Sequence, residues 1–358
     1  MAACQKDDDS VTAECDELKE PTPFALTLEP HFVYINPPEI PNDNPLTVEG
    51  IELGRKLFFE RKLSKNNQIS CANCHNPANA FNDKDRALSR GVGGLIGERN
   101  AMPLFNLAFT RNFPGHGAFN WDGSANTIEE QAFIPVAHPL EMQETWTNVV
   151  SKLQNDPAYP PMFEAAFMTN VIDSNLVVKA LAQFERTLIS GESKMDNEIK
   201  KEFGFDYTGP ALNQQERRGY EIFADNTRGD CVHCHTDIPN PLFTDFEFRN
   251  NGLDVNPDSG LALVTKKASD VGKFKTPSLR NLVYTAPYMH DGRFATLEEV
   301  INFYSDSVKA NSTNIDNLMF DRGSHIANLS DQEKDDLVSF LRAITDSSFV
   351  NNPDFRRP

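Results

Sequence analysis

The chain has 358 residues, 39% of them hydrophobic, more than one small core usually holds, so two domains are the starting expectation. Its 52 acidic against 34 basic residues leave a net charge of -18, which argues against nucleic acid or an anionic membrane surface as partner. The acidic surface permits docking of a basic redox protein, and no stretch is apolar and long enough to span a bilayer.

Residues 1–45 are acidic and then Pro-rich, with little helical period, and read as a tether followed by a strap over the first domain. No apolar signal core opens them. Met1-Ala2-Ala3-Cys4 resembles the trimmed end of a lipoprotein signal, which would make Cys4 a lipidation site. The alternative is a cloning remnant, with Cys4 and Cys15 as free thiols or a loose pair.

From Thr47 the pattern turns helical, with Ile51, Leu57 and Phe58 apolar and Gly54 at a place suited to a close helix crossing. Then comes Cys71-Ala72-Asn73-Cys74-His75, and later Cys231-Val232-His233-Cys234-His235. Two thiols two residues apart, followed at once by an imidazole, are what covalent c-type haem attachment requires. The cysteines would form thioethers to the porphyrin, and His75 and His235 would each supply the proximal nitrogen to an iron. A redox disulfide, or a zinc site from Cys71, Cys74, Cys231 and Cys234, needs no histidine after the second cysteine. His233 is a spacer by position. Covalent haem attachment in bacteria happens outside the cytoplasm, so an exported, periplasmic chain is expected.

Pro135, Pro139, Pro157, Pro160 and Pro161 should break up long helices. The stretch from Ala118 to Met142 therefore reads as loop around one short helix at Thr127 to Phe133. An amphipathic helix follows from about Ser174, with Leu176, Val177, Ala180, Leu181, Phe184 and Leu188 on one face. Gly219, Ile222 and Phe223 precede Cys231 as Gly54, Leu57 and Phe58 precede Cys71. Ser330 and Glu333 form a capping-box pattern before Leu337, Phe340, Leu341 and Ile344. An opening helix, a haem motif and a closing helix, twice over, indicate internal duplication. The expected division is 1–45 tether and strap, 46–195 first domain, 196–209 linker, 210–350 second domain and 351–358 tail.

Several further strings, in order, resemble the bacterial di-haem cytochrome c peroxidase family, including its MauG-type branch. They are Leu53-Gly54-Arg55-Lys56-Leu57-Phe58-Phe59, Arg99-Asn100-Ala101, Trp121-Asp122-Gly123, Glu129-Glu130-Gln131-Ala132 and Pro139-Leu140-Glu141-Met142. Later come Phe184-Glu185-Arg186-Thr187-Leu188, Phe274-Lys275-Thr276-Pro277-Ser278-Leu279-Arg280-Asn281 and Thr285-Ala286-Pro287-Tyr288-Met289-His290-Asp291-Gly292. The resemblance implies an all-α fold of two cytochrome c-like domains, each wrapping one covalent haem c. It also implies reduction of hydrogen peroxide with electrons from a small donor protein such as a cytochrome c or cupredoxin.

The resemblance assigns Glu141 as general acid and base at the first haem, with Gln131 orienting the peroxide. It makes Trp121 the electron relay between the haems. Asn100, Thr285 and Pro287 match positions that hold a calcium ion between the domains. Many relatives carry a histidine in the loop before Arg99-Asn100-Ala101 that caps the first haem. Ser89–Glu98 has none, so an iron open to peroxide is expected; His116, in a Gly-flanked loop, is the one nearby reservation. Where relatives of the peroxidase branch place a methionine as far ligand of the second haem, fourteen residues beyond His290, this chain has Tyr304, as the MauG-type branch does. Tyr304 could equally be helix core, with Met289 and Met319 as fallback ligands. Ser124 stands where an arginine is usual. Two alternatives remain: a MauG-like oxidase that modifies residues of a partner protein through high-valent iron, and a di-haem electron carrier without catalysis.

Overall fold

The computed structural model describes residues 19–83, 85–111, 115–319 and 328–358. Cys4 and Cys15, and with them the lipidation reading, lie outside the described residues. The fold is mostly helical; one two-stranded antiparallel ribbon pairs Phe248 with Lys275 and Arg249 with Phe274.

The helix Val48–Phe58 starts where Thr47 accepts the Gly50 N–H at 3.1 Å, satisfying one of the free donors of its first turn. Its buried face, Leu53, Gly54, Leu57 and Phe58, meets the helix Ser174–Arg186, which Asp173 caps. The crossing is close because Gly54 has no side chain: a Cβ there would lie 1.9 Å from the Ala180 carbonyl oxygen. The helices Gln214–Ala224 and Asp331–Ala343 meet in the same way, with a Cβ on Gly219 falling 2.0 Å from the Asp336 carbonyl. The capping box of Ser330 and Glu333 forms. Each helix pair anchors an apolar cluster, the first around Leu57, Phe58, Phe81 and Phe184, the second around Phe223, Phe243, Phe340 and Ile344.

Four expectations need correction. Residues 196–209, read as a linker, begin inside the helix Lys194–Glu202, whose Met195 and Ile199 are buried in the second cluster. Two apolar residues one turn apart suffice to dock it, and its lysines and glutamates hid that stripe. Residues 351–358 are no free tail: Phe355 joins the first cluster, its ring centre 6.2 Å from that of Phe81, beside Phe349 and Val350 just before it, Phe349 at 5.8 Å from Phe81. Arg55 holds the carbonyls of Pro353 and Arg356. The strap crosses both units, since Phe32 packs with Phe109 and with Leu242. Finally, the helix expected at 127–133 runs from Ile128 to Ala137 with Pro135 inside it; Pro160 and Pro161, as expected, stand where no long helix continues, opening the short helix Pro160–Phe167. Proline's fixed φ and missing N–H suit a first turn.

One buried ionic cluster joins strap, intervening helix and second unit. Asp196 accepts two hydrogen bonds from Arg280, at 2.9 and 2.6 Å, and one from His31 at 2.9 Å, and all three side chains are excluded from solvent. Among the described residues, no helix is long and apolar enough to cross a membrane.

Asp196→Asn should cost about 3–5 kcal/mol of unfolding free energy, because it leaves the Arg280 charge buried without its counter-charge. The Arg280 guanidinium and His31 hold the Asp196 carboxyl well below the usual carboxylate range. The pair's contribution is therefore present above the unfolded-state value, about 3.9, and lost as pH falls toward the folded one. Urea unfolding at several pH values should show the gap between wild type and Asp196→Asn shrinking below about pH 4.

Candidate functional site

Each Cys-x-x-Cys-His string is a single helical turn that ends by aiming an imidazole. In the first, Asn73 accepts the Ser70 N–H at 2.9 Å, and the His75 N–H bonds to the Cys71 carbonyl at 2.9 Å. The chain then curls back through Ala80 and Phe81, both at positive φ, and brings the Phe81 carbonyl 3.0 Å from His75 Nδ1. A carbonyl can only accept, so Nδ1 carries the proton and Nε2 keeps its lone pair for a metal. The second string repeats this device, with the His235 N–H on the Cys231 carbonyl and His235 Nδ1 3.3 Å from the carbonyl of Phe243, again at positive φ.

Burial pushes the Cys74 thiol up to about 11, Cys231 and Cys234 up to about 12, and Cys71 up as well. Neither pair is joined as a disulfide, and among the described residues no three His, Cys, Asp or Glu side chains come together as a metal cage. The zinc and disulfide readings of these strings have no support in this geometry.

A cavity of about 450 Å³ opens beside Cys231, Cys234 and His235, within the usual range for ligand pockets, roughly 300–1,000 Å³. Phe223, Leu282, Leu297, Ile301 and Leu341 give it apolar walls, which fit a porphyrin face. Tyr304 lines the same cavity from the helix Leu297–Asp306, which the Thr296–Glu299 capping box starts. Its hydroxyl accepts the Asn251 side-chain N–H at 2.9 Å, while burial pushes the phenol up to about 12. Met289 and Met319 also line the cavity, and Met289 Sδ lies 3.8 Å from the same Asn251 nitrogen.

Trp121 forms part of the wall toward the first unit, its indole N–H bonded to the Asn100 carbonyl at 2.8 Å. Asn100, Thr285 and Pro287 line the cavity too. The Asn100 side chain donates to the carbonyls of Arg86 and Ala87, and its backbone N–H to that of His290.

Near the first string, Pro135 has no N–H to give the Gln131 carbonyl, and the helix ends soon after. The chain folds back so that the N–H groups of Met142 and Glu144 bond to the carbonyls of Pro135 and Val136. This sets Glu141 on a tight loop. The segment that lacks the family histidine clamps it: the Val92 N–H bonds to the Glu141 carbonyl at 2.7 Å, and Gln143 reaches back to the Val92 carbonyl at 3.2 Å. Gly91 lies so close that a Cβ would fall 2.0 Å from the Leu140 carbonyl oxygen. Burial raises the Glu141 carboxyl, with His138, 3.4 Å away, opposing. Its charge is felt at both Cys71 and Cys74. Gln131 is half-buried on the preceding helix.

Of the remaining candidates, Trp146 is structural, donating to the Phe133 carbonyl and packing edge-on to that ring at 4.8 Å. His116 packs on Phe248 of the ribbon at 4.9 Å. His233 is exposed and faces Asp230 at 2.7 Å. Ser124 accepts from Asn120 at 2.9 Å.

Residues 48–203 match the family model described as di-haem cytochrome c peroxidase. The chain is 33% identical to the methylamine utilization protein MauG of Methylophilus methylotrophus, over 90% of this chain and 91% of that one. It is 30% identical to the cytochrome c551 peroxidase of Nitrosomonas europaea, over 88% and 84%. The chain belongs to the di-haem cytochrome c peroxidase family. Its backbone also superposes on the crystal structure of a MauG-like protein associated with microbial copper homeostasis, with a TM-score of 0.78, 32% identity and coverage of 91% of this chain and 97% of that one. As a di-haem peroxidase family member it is an oxidoreductase acting on peroxide, with haem c as cofactor, and the reading as a pure electron carrier falls away.

The motif reading of this di-haem chain missed three residues. Asn251 holds the Tyr304 hydroxyl. Lys275 is buried on the cavity wall. Glu185 is wholly buried, its carboxyl pushed up to about 8 by burial, and its Oε2 has no hydrogen-bond partner among the described residues. Lys275 and Glu185 each follow a phenylalanine in a string that matches the family, but the strings carry other polar and charged residues that gave these two no distinction; Asn251 carried no signal.

Replacing Cys231 and Cys234 together by alanine should remove one of two covalently held haems, leaving the first in place. Intact mass and pyridine haemochromogen content check this, and an unchanged haem count would refute the assignment.

Proposed function

We propose that this chain reduces hydrogen peroxide to water at a haem held by Cys71, Cys74 and His75, drawing electrons through a second haem held by Cys231, Cys234 and His235. The overall change is one peroxide, two protons and two electrons to two waters. A c-type haem in the first site would supply the redox-active iron that peroxide must meet. Glu141 would carry the proton from one peroxide oxygen to the other, and Gln131 would orient the molecule. The observation that carries this reading is the placement of Glu141: a half-buried carboxyl raised above its ordinary value by partial desolvation, on a loop clamped by Val92, within electrostatic reach of Cys71 and Cys74.

At the second site His235 and Tyr304 line one cavity, which supports Tyr304 as the far ligand. An oxygen ligand there disfavours the reduced iron, whereas a thioether would favour it. Trp121, on the wall between the units, would relay electrons. Asn100, Thr285 and Pro287, on that same wall, would offer oxygens to a calcium ion. The paired glycine crossings and the paired histidine–carbonyl bonds support internal duplication into two cytochrome c-like domains. Export to the periplasm follows from haem attachment, and the acidic surface suits a small basic donor such as a cytochrome c or cupredoxin.

A second reading keeps both haems but makes the target a residue of a partner protein, as in a MauG-like oxidase. Tyr304 on the cavity wall and the similarity to proteins named MauG favour it. Peroxide turnover with a reduced small cytochrome, set against modification of a co-purified protein, separates the two.

Glu141→Gln should lower kcat for peroxide by about 10²- to 10⁴-fold while leaving the resting spectrum of both haems unchanged. An activity within a factor of about two of wild type would remove Glu141 from the mechanism. Tyr304→Phe should alter the ferric spectrum of the second haem only; an unaltered spectrum would return Tyr304 to the helix core.

A further inference from the structure

Lys275 is the second residue of the strand Phe274–Lys275 and is only 7% exposed. Its backbone N–H bonds to the Trp121 carbonyl at 3.0 Å, and the residue lines the cavity that contains His235 and Tyr304. The ammonium sits among aromatic faces, 5.2 Å from the centre of the Phe246 ring and 5.7 Å from that of Phe119. Among the described residues, no carboxylate forms an ion pair or hydrogen bond with its Nζ. The other deeply buried cations do have partners: Arg280 has Asp196, Arg186 has Glu129 and Lys200 has Glu29.

A buried ammonium without a counter-charge is costly, and contact with two rings offsets only part of that cost. Burial alone pushes this lysine down to about 7, with no nearby acid opposing it. The missing partner is therefore an anion that the folded chain does not itself contain. The cavity is where the second haem would sit, and a haem brings two carboxylates of its own.

We infer that Lys275 is the counter-ion of a carboxylate of the haem held by His235, paired with it on the wall that also carries Trp121. This rests on the reading that Cys231, Cys234 and His235 hold a haem, and on no assumption about the far ligand or the substrate. A fixed positive charge at that carboxylate favours the reduced iron. Lys275 is thus a positioning and tuning residue for the second haem, not a catalytic one.

The test is a spectroelectrochemical titration of the holoprotein, comparing wild type, Lys275→Met and Lys275→Arg, with haem content measured in each. The expected result is a lower midpoint potential for the second haem in Lys275→Met, an unmoved first haem, and a Lys275→Arg potential close to wild type. Loss of the second haem in Lys275→Met but not in Lys275→Arg would also support a counter-ion role. An unchanged second potential in a fully loaded Lys275→Met, or the same shift or haem loss in both variants, overturns the inference. Failure of the underlying reading looks different: wild type would then carry one covalent haem or none.

Discussion

Asp196 is wholly buried and accepts hydrogen bonds from Arg280, His31 and its own capping residue Ser193, and the architecture hangs on that fact. Its two oxygens are shared by Arg280 of the second unit and His31 of the strap, while Asp196 itself belongs to the helix between the units. Removing any member leaves a buried charge or donor exposed to an apolar surrounding. Nearby, Asp346 accepts the Ser190 hydroxyl and the N–H groups of Gly191 and Glu192. The relative placement of the units is thus set by polar groups that have nowhere else to bond. Trp121 adds a separate link across the units, its indole N–H donating to the Asn100 carbonyl and its own carbonyl accepting the Lys275 N–H.

Within that frame the two haem motifs share one device and then diverge. Both fix a histidine tautomer with a carbonyl from a residue at positive φ. Beyond it, the first motif meets a loop carrying a carboxyl group, and the second meets a helix carrying a phenol. Duplicated scaffolds need only differ in what reaches the far face to acquire different chemistry. A carboxyl raised above its ordinary value by partial burial is suited to moving protons, whereas a phenol held by an amide N–H is suited to closing a coordination position. The segment from Ser89 to Glu98 shows the trade: lacking a histidine to offer, it spends its backbone on clamping Glu141.

Local chemistry was legible in the sequence wherever the partner lies within one turn. The cap at Ser330 was readable, as were the glycines at 54 and 219, because spacing alone dictates them. The haem motifs were readable because bond geometry fixes their length. What stayed hidden depends on residues far apart in the chain. Phe349 and Phe355 return to Phe81 across more than half the sequence, and no local pattern announces it. Pro135 inside a helix was misread because its cost is met by a later loop whose N–H groups take up the carbonyls of Pro135 and Val136. The helix 194–202 looked like a linker because seven of its nine residues are polar or charged. Asn251 has no sequence signal at all, since an amide means nothing until the phenol it touches is in place.

The charge distribution bears on how electrons would cross the junction. The chain is strongly acidic overall, yet Lys275 on the cavity lining, unlike Arg249, has no carboxylate paired with it among the described residues. Negative charge at the surface and positive charge inside are different tools. The first works over a Debye length, about 8 Å at physiological salt, and guides a soluble partner. The second acts through a medium that screens poorly, where one unit of charge shifts a redox equilibrium far more than it would in water. A phenol ligand from Tyr304 and a buried ammonium from Lys275 would pull the potential of a haem in that cavity in opposite directions. The balance between Tyr304 and Lys275, rather than either alone, would then decide whether that haem passes electrons inward from a donor or holds oxidising equivalents jointly with its neighbour. On that proposal, the choice between peroxidase and protein-modifying oxidase would turn on this local electrostatic sum, since Tyr304 and Lys275 line one cavity.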